Sequence, residues 1–179
     1  MLDNLGVEVV AQSDFGVKDA VESGTTFVEN SLIKAQHACD ATGLAAIADD
    51  SGLIVDALDG APGIYSARYA GPSATDDDNI DKLLEALQDV ATVSRGAAFH
   101  CAAALVLPDQ SRPLVAEGQW RGSILTSRQG DGGFGYDPIF LDPESGASAA
   151  ELTARQKNAR SHRGQALAKL VALMDQEFS

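Results

Sequence analysis

Cysteine is almost missing from this chain, with Cys39 and Cys101 the only two in 179 residues. Two thiols so far apart in sequence make neither a disulfide framework nor a zinc cluster, which fits a reducing, cytoplasmic setting with both thiols buried. Long apolar runs are lacking too. None reaches the roughly 18 residues that cross a bilayer, and Met1-Leu2-Asp3-Asn4 has no basic leader ahead of an apolar signal core. Positive charge is scarce: 13 Lys plus Arg face 26 Asp plus Glu, a net charge of -13. A surface of that sign repels nucleic-acid polymers and anionic membranes. A small anionic ligand would bind only where basic side chains or a divalent cation reverse the sign locally.

What is present describes a packed protein. Hydrophobic residues make up 45% and charged ones 22% of the chain, far from the composition of disordered sequences. The length suits one domain, or two closely associated lobes, burying roughly 70% of the unfolded surface. Val7-Glu8-Val9-Val10, within Leu5 to Ala11, has the β-branched content of a strand. Thr26-Phe27-Val28-Glu29 has capping-box spacing, and Val28, Leu32, Ala35 and Cys39 follow at helical intervals until Gly43, so a helix is expected from about 26 to 42. Leu44 to Ala48 reads as a strand ending at Asp49-Asp50-Ser51-Gly52, with strand-like sequence resuming over Leu53 to Leu58.

Thr75 followed by Asp76-Asp77-Asp78 starts a second helix, with Ile80, Leu83, Leu84 and Leu87 as its apolar stripe. Ala98 to Leu107, a turn over Pro108 to Pro113, and a strand from Leu114 towards Trp120 predict an antiparallel hairpin. Tyr136 to Leu141 is expected as strand, and helix dominates from Ala149, with Ser161 capping a last helix whose Leu167, Leu170, Val171 and Met174 share a face. Strands and helices intermix without βαβ alternation. The expected class is therefore α/β with a mixed sheet rather than a purely parallel one.

Several segments carry possible chemistry. A carboxylate of Asp49-Asp50 at a strand end can hold Mg²⁺ or accept a proton from water, although alternation lets only one of the pair face a given cleft and Asp-Asp-Ser-Gly taken alone reads first as a turn with an Asx cap. Glu22 is the preferred second carboxylate, because Glu29 has a competing role as a helix cap. The run Gly130-Asp131-Gly132-Gly133-Phe134-Gly135-Tyr136-Asp137-Pro138 could grip a flat ring, with Phe134 stacking and Asp137 reading an edge, or could be a connection whose aromatics fill core. Lys157, His162 and Arg163 supply the cationic donors that an anion needs, or are solvated helix charges. Arg68 could reach a phosphate or stack on its neighbours. His37 reads as structural or exposed. His100 and Cys101, adjacent on a strand, face opposite ways and make no dyad.

Glu22-Ser23-Gly24-Thr25-Thr26-Phe27-Val28-Glu29-Asn30, Ala48-Asp49-Asp50-Ser51-Gly52-Leu53, Gly60-Ala61-Pro62-Gly63-Ile64-Tyr65-Ser66-Ala67-Arg68, Gly132-Gly133-Phe134-Gly135-Tyr136-Asp137-Pro138 and Ser161-His162-Arg163-Gly164 together resemble the inosine/xanthosine triphosphate pyrophosphatase family, over nearly the whole chain. The resemblance implies an elongated, twisted mixed sheet flanked by helices, two lobes with a cleft between them, and a homodimer. It implies Mg²⁺-dependent cleavage of ITP, dITP and XTP to the monophosphate and pyrophosphate. Position by position, it makes Asp50 the proton acceptor and a metal contact, Glu22 the second metal contact, and Ser51, Phe134, Gly135, Tyr136, Asp137, Lys157, His162 and Arg163 the substrate contacts. The family also opens with a strand and a Thr/Ser-x-Asn-x-x-Lys phosphate loop, and this sequence starts after that place. On that ground a catalytically impaired nucleotide-binding or dimerisation module stands as the alternative expectation. A third is the related septum-inhibition type with a pyrimidine preference, which Ser161-His162-Arg163 and Phe134-Gly135-Tyr136-Asp137 disfavour.

Overall fold

A computed structural model describes residues 7–108 and 112–178. Helix α1 spans Phe27–Thr42, strand β1 Ala46–Val55, helix α2 Asp76–Ala86, strand β2 Gly96–Val106, strand β3 Leu114–Ile124, strand β4 Phe140–Leu141, helix α3 Ala154–Arg160 and helix α4 His162–Phe178. The strands form a four-stranded sheet in the order β1-β2-β3-β4. Strand β4 lies antiparallel to β3, with Ser123 opposite Leu141 and Ile124 opposite Phe140. The α/β class agrees with the sequence reading.

Capping explains where the first helices begin. Thr26 accepts from the Glu29 backbone while Glu29 accepts from that of Thr26, and Gly43, at a φ of 68°, closes α1 by donating to the Cys39 carbonyl. Thr75 and Asp78 make the same reciprocal box at α2. Thr153 and Gln156 make another at α3, a start signal the sequence reading passed over.

By internal contact the chain divides into two compact units, one drawn from Met1–Asp50, Cys101–Gly118 and His162–Ser179, the other from Ser51–His100 and Gln119–Ser161. In the first, β2 explains its unbroken apolar run by alternation. Cys101, Ala103 and Leu105 pack with Ala166, Leu170 and Met174 of α4, whereas Ala104 and Val106 pack with Ala35 and Cys39 of α1. Leu170 is fully buried, worth about 1.5–3 kcal/mol relative to exposure. Gly118 permits this packing, since a Cβ there would run into the His162 carbonyl. In the second unit, Leu53 and Val55 of β1, Ile80, Leu83 and Leu87 from α2 and its end, and Phe99, Trp120 and Phe140 close a core. The Phe140 ring lies 4.5 Å from that of Phe99 and 5.1 Å from that of Trp120, within the range of favourable aromatic pairs.

Four local expectations are corrected. Val7 to Val10 form no strand and stay exposed, with Val9 66% accessible; β content without a neighbouring ladder does not make a strand. Leu5 and Gly6 lie outside the described residues, as do 109–111 of the expected Pro108 to Pro113 turn. Strand β1 does not stop before the acidic pair but runs through it as ten continuous residues, and Asp56–Leu58 is a 3₁₀ turn rather than strand. Only Phe140–Leu141 of the Tyr136 to Leu141 stretch is strand, because Pro138 sits in a 3₁₀ turn over Asp137–Ile139. The C-terminal helices agree with the sequence reading: the last helix, α4, starts at His162 directly after Ser161, which is extended at its junction with α3.

Candidate active site

Because β1 continues through Asp49 and Asp50, its alternation sends their side chains to different neighbours. Asp50, 9% accessible, accepts from Lys34 Nζ on Oδ1 at 2.9 Å and from Asn30 Nδ2 on Oδ2 at 3.2 Å. Lys34 Nζ also donates to Glu22 Oε1 at 3.0 Å. The two carboxylates singled out as metal contacts therefore meet on one ammonium group. Burial works to lower the Lys34 pKa, but the hydrogen bonds and charges of Asp50 and Glu22 outweigh it and hold the ammonium above its ordinary value. Asn30 is fully buried, and its Oδ1 accepts from the Gly24 backbone at 2.9 Å, which fixes its amide so that Nδ2 faces Asp50. Glu29 is spent on the cap, accepting from Thr25 and Thr26. Hydrogen bonds from Thr25, then Thr26, hold its carboxyl below the usual range.

Asp49 takes other partners. Its Oδ2 accepts from Arg163 Nε at 3.0 Å and from Cys101 Sγ at 3.6 Å. His162, the first residue of α4, is buried. Ser51 is the next residue along β1 and opens the second unit.

The glycine-rich loop belongs to that second unit. Phe134 is 63% accessible, whereas Tyr136 is buried in the core. The Tyr136 hydroxyl donates to the Ser66 carbonyl at 2.9 Å. Burial, then the charges of Tyr69 and Asp76, push its pKa well up, so it remains neutral. Asp137 is buried, and its Oδ2 accepts from the Phe134 backbone at 2.9 Å and pairs with Lys157. Lys157 Nζ also lies 4.4 Å from the Phe134 ring centroid. The Gly135 backbone donates to Asp76 Oδ2 at 2.6 Å. Gly133, at a φ of 78°, is required: a Cβ there would collide with the Asp137 carboxylate. Two of the predicted cations thus sit against carboxylates, Lys157 on Asp137 and Arg163 on Asp49. Arg68 stacks on Tyr65, 5.4 Å from its ring centroid. His37 is exposed, with Nε2 2.9 Å from the Lys18 carbonyl oxygen.

Among the described residues no group of three or more His, Cys, Asp or Glu is placed to hold a metal. Glu22 and Asp50 are the two carboxylates that could serve one together, and both already hold the Lys34 ammonium. That fits Mg²⁺, a hard ion commonly bound by one or two carboxylates with waters and phosphate oxygens completing the shell.

The family model described as "Ham1 family" matches residues 1–173. This chain belongs to the Ham1 family. It is 54% identical over 178 residues to a dITP/XTP pyrophosphatase of Vibrio cholerae, covering 99% of this chain and 89% of that one. Against a dITP/XTP pyrophosphatase of Yersinia pestis the identity is 56% over 168 residues, covering 93% and 85%. The solved HAM1 protein of Coxiella burnetii superposes with a TM-score of 0.92 at 48% identity, covering 98% of this chain and 89% of that one. Among the described residues of this Ham1-family chain, no helix is long and apolar enough to cross a membrane.

Sequence reasoning missed Lys34, Asn30, Asp49 and Asp76 as members of these clusters. Asn30 and Lys34 stand four residues apart on α1, one face of one turn, a spacing that marks them as joint partners of whatever packs there. Nothing in the sequence pairs Asp76 with Gly135 across 59 positions.

Proposed function

We propose that this chain hydrolyses non-standard purine nucleoside triphosphates, dITP, ITP and XTP, to the monophosphate and pyrophosphate, as a Mg²⁺-dependent, cytoplasmic, homodimeric enzyme of nucleotide-pool cleansing. The observation that carries the reading is the convergence of Glu22 and Asp50 on one cation in a chain of net charge -13. The names of the relatives support it and favour an enzyme over a silent binding module.

Glu22 and Asp50 would hold the metal, whose chemistry is to offset triphosphate charge. Asp50 is anchored by Asn30 and takes the proton of the attacking water. The water oxygen bonds to the α-phosphorus, the bond from that phosphorus to the bridging oxygen breaks, and pyrophosphate leaves with the electron pair. Lys34 offsets part of the charge of the two carboxylates before the metal enters. Ser51, His162 and Arg163 contact the substrate, with Arg163 presenting a planar fork to a carbonyl or phosphate oxygen. The exposed Phe134 offers a stacking face, held by Asp137 and Lys157, while Gly135, Tyr136 and Asp137 complete the loop that reads the base. Discrimination against ATP comes from rewarding a 6-oxo edge and leaving a 6-amino group without a partner.

Pyrophosphate release from ITP, XTP and ATP under MgCl₂, with Asp50→Asn beside the parent, tests the reading. ITP and XTP should be turned over well ahead of ATP, and Asp50→Asn should lose about 10²–10⁴-fold in kcat. Equal turnover of ATP and ITP would remove the specificity assignment, and full activity in Asp50→Asn would remove the base.

A further inference from the structure

We propose that Asp49 is a positioning residue that sets the guanidinium of Arg163 for the substrate. The inference rests on the reading of Arg163 given above and adds a residue that the resemblance leaves without a role. Alternation along β1 gives the paired acids separate work. Asp50 turns to Asn30 and Lys34 of α1, and Asp49 turns to Arg163 of α4 and Cys101 of β2.

The geometry is that of a brace. Asp49 Oδ2 accepts from Arg163 at Nε, 3.0 Å away, so the contact engages the stem side of the planar fork. Among the described residues no hydrogen bond of the chain is made by Arg163 Nη1 or Nη2, and that edge can meet two oxygens of a ligand side by side. The Arg163 side chain is 46% accessible, and an arginine left that open would sample many rotamers and lose them on binding. Asp49 removes part of this cost beforehand, because its own carboxylate stands on a central stretch of strand and is held by the thiol of the fully buried Cys101. Cys101 thereby has a structural use as a donor and needs none as a nucleophile.

The test compares Asp49→Ala, Asp49→Asn, Asp49→Glu, Arg163→Ala and the Asp49→Ala/Arg163→Ala double variant in the full chain, by steady-state kinetics with ITP and by melting temperature. Asp49→Ala should raise KM for ITP up to about tenfold with kcat within about twofold, the loss expected when one rotamer-rich side chain is no longer pre-ordered. Asp49→Asn, which keeps an acceptor without the charge, should fall between, and Asp49→Glu should recover part of the loss. The double variant should be no worse than Arg163→Ala alone, since two residues acting through one contact are non-additive. If Arg163→Ala raises KM while Asp49→Ala and Asp49→Asn match the parent, the brace is refuted and the role of Arg163 survives. Multiplying effects in the double variant refute it as well. A normal KM in Arg163→Ala overturns both that role and the brace.

Discussion

Replacing Lys34 with Met tests whether Glu22 and Asp50 form the metal-binding pair, because it removes the cation that both now share. The ammonium lies 3.0 Å from Glu22 and 2.9 Å from Asp50. At an effective dielectric of about 20, each contact carries roughly 5.5 kcal/mol of gross attraction. Desolvation of three partly buried groups offsets most of it, the side chains being 25%, 27% and 11% accessible. A net loss of about 2 kcal/mol lies between the values for exposed pairs and those for broken buried ones. For a chain of this length that lowers Tm by about 4–8 °C in EDTA. Magnesium should then act in the opposite direction. In the parent it must compete with the ammonium for the same oxygens, whereas in Lys34→Met it meets two uncompensated carboxylates, so MgCl₂ should raise the variant's Tm more than the parent's. A further Glu22→Gln change should abolish that difference. The raised pKa of Lys34 gives the sign of the alkaline effect: its contribution is complete below the unfolded lysine value of about 10.4 and is lost as pH rises through the higher folded value. Differential scanning fluorimetry with EDTA and with MgCl₂ reads all of this. A variant as stable as the parent in EDTA, or equal magnesium stabilisation of both, would refute the reasoning.

Gly133→Ala places a methyl group against the Asp137 carboxylate at a backbone φ of 78°, so it should cost about 1–3 kcal/mol and raise KM for ITP with little change in kcat, read by urea unfolding and initial rates. Asp142 is buried; burial acts to raise its pKa, but hydrogen bonds from Ser145 and Trp120 and the charge of Arg160 lower it overall. Its contribution is therefore present above the unfolded carboxylate value of about 3.9 and lost as pH falls through the lower folded one. Asp142→Asn should cost about 1–3 kcal/mol at neutral pH and lose less stability than the parent on acidification below about pH 4, measured by urea unfolding across pH.

Local rules determined much of this protein before any tertiary contact. The Thr26-to-Glu29 box and Gly43 bounded α1, and Thr75 with Asp78 opened α2, because capping involves residues a few positions apart. The largely apolar run from Ala98 to Leu107 announced a buried strand, and the motif order pointed to the family. Alternation even foretold that Asp49 and Asp50 would part. What the sequence could not decide was the identity of their partners. Asp50 meets Lys34 across 16 positions and Arg163 meets Asp49 across 114. It is the stacking of α1 and α4 against β2 that brings such distant residues within 3 Å. The same limit explains the misread strands. Val7 to Val10 have strand composition, yet a strand exists only where another backbone receives its hydrogen bonds, and pairing is a property of the folded chain.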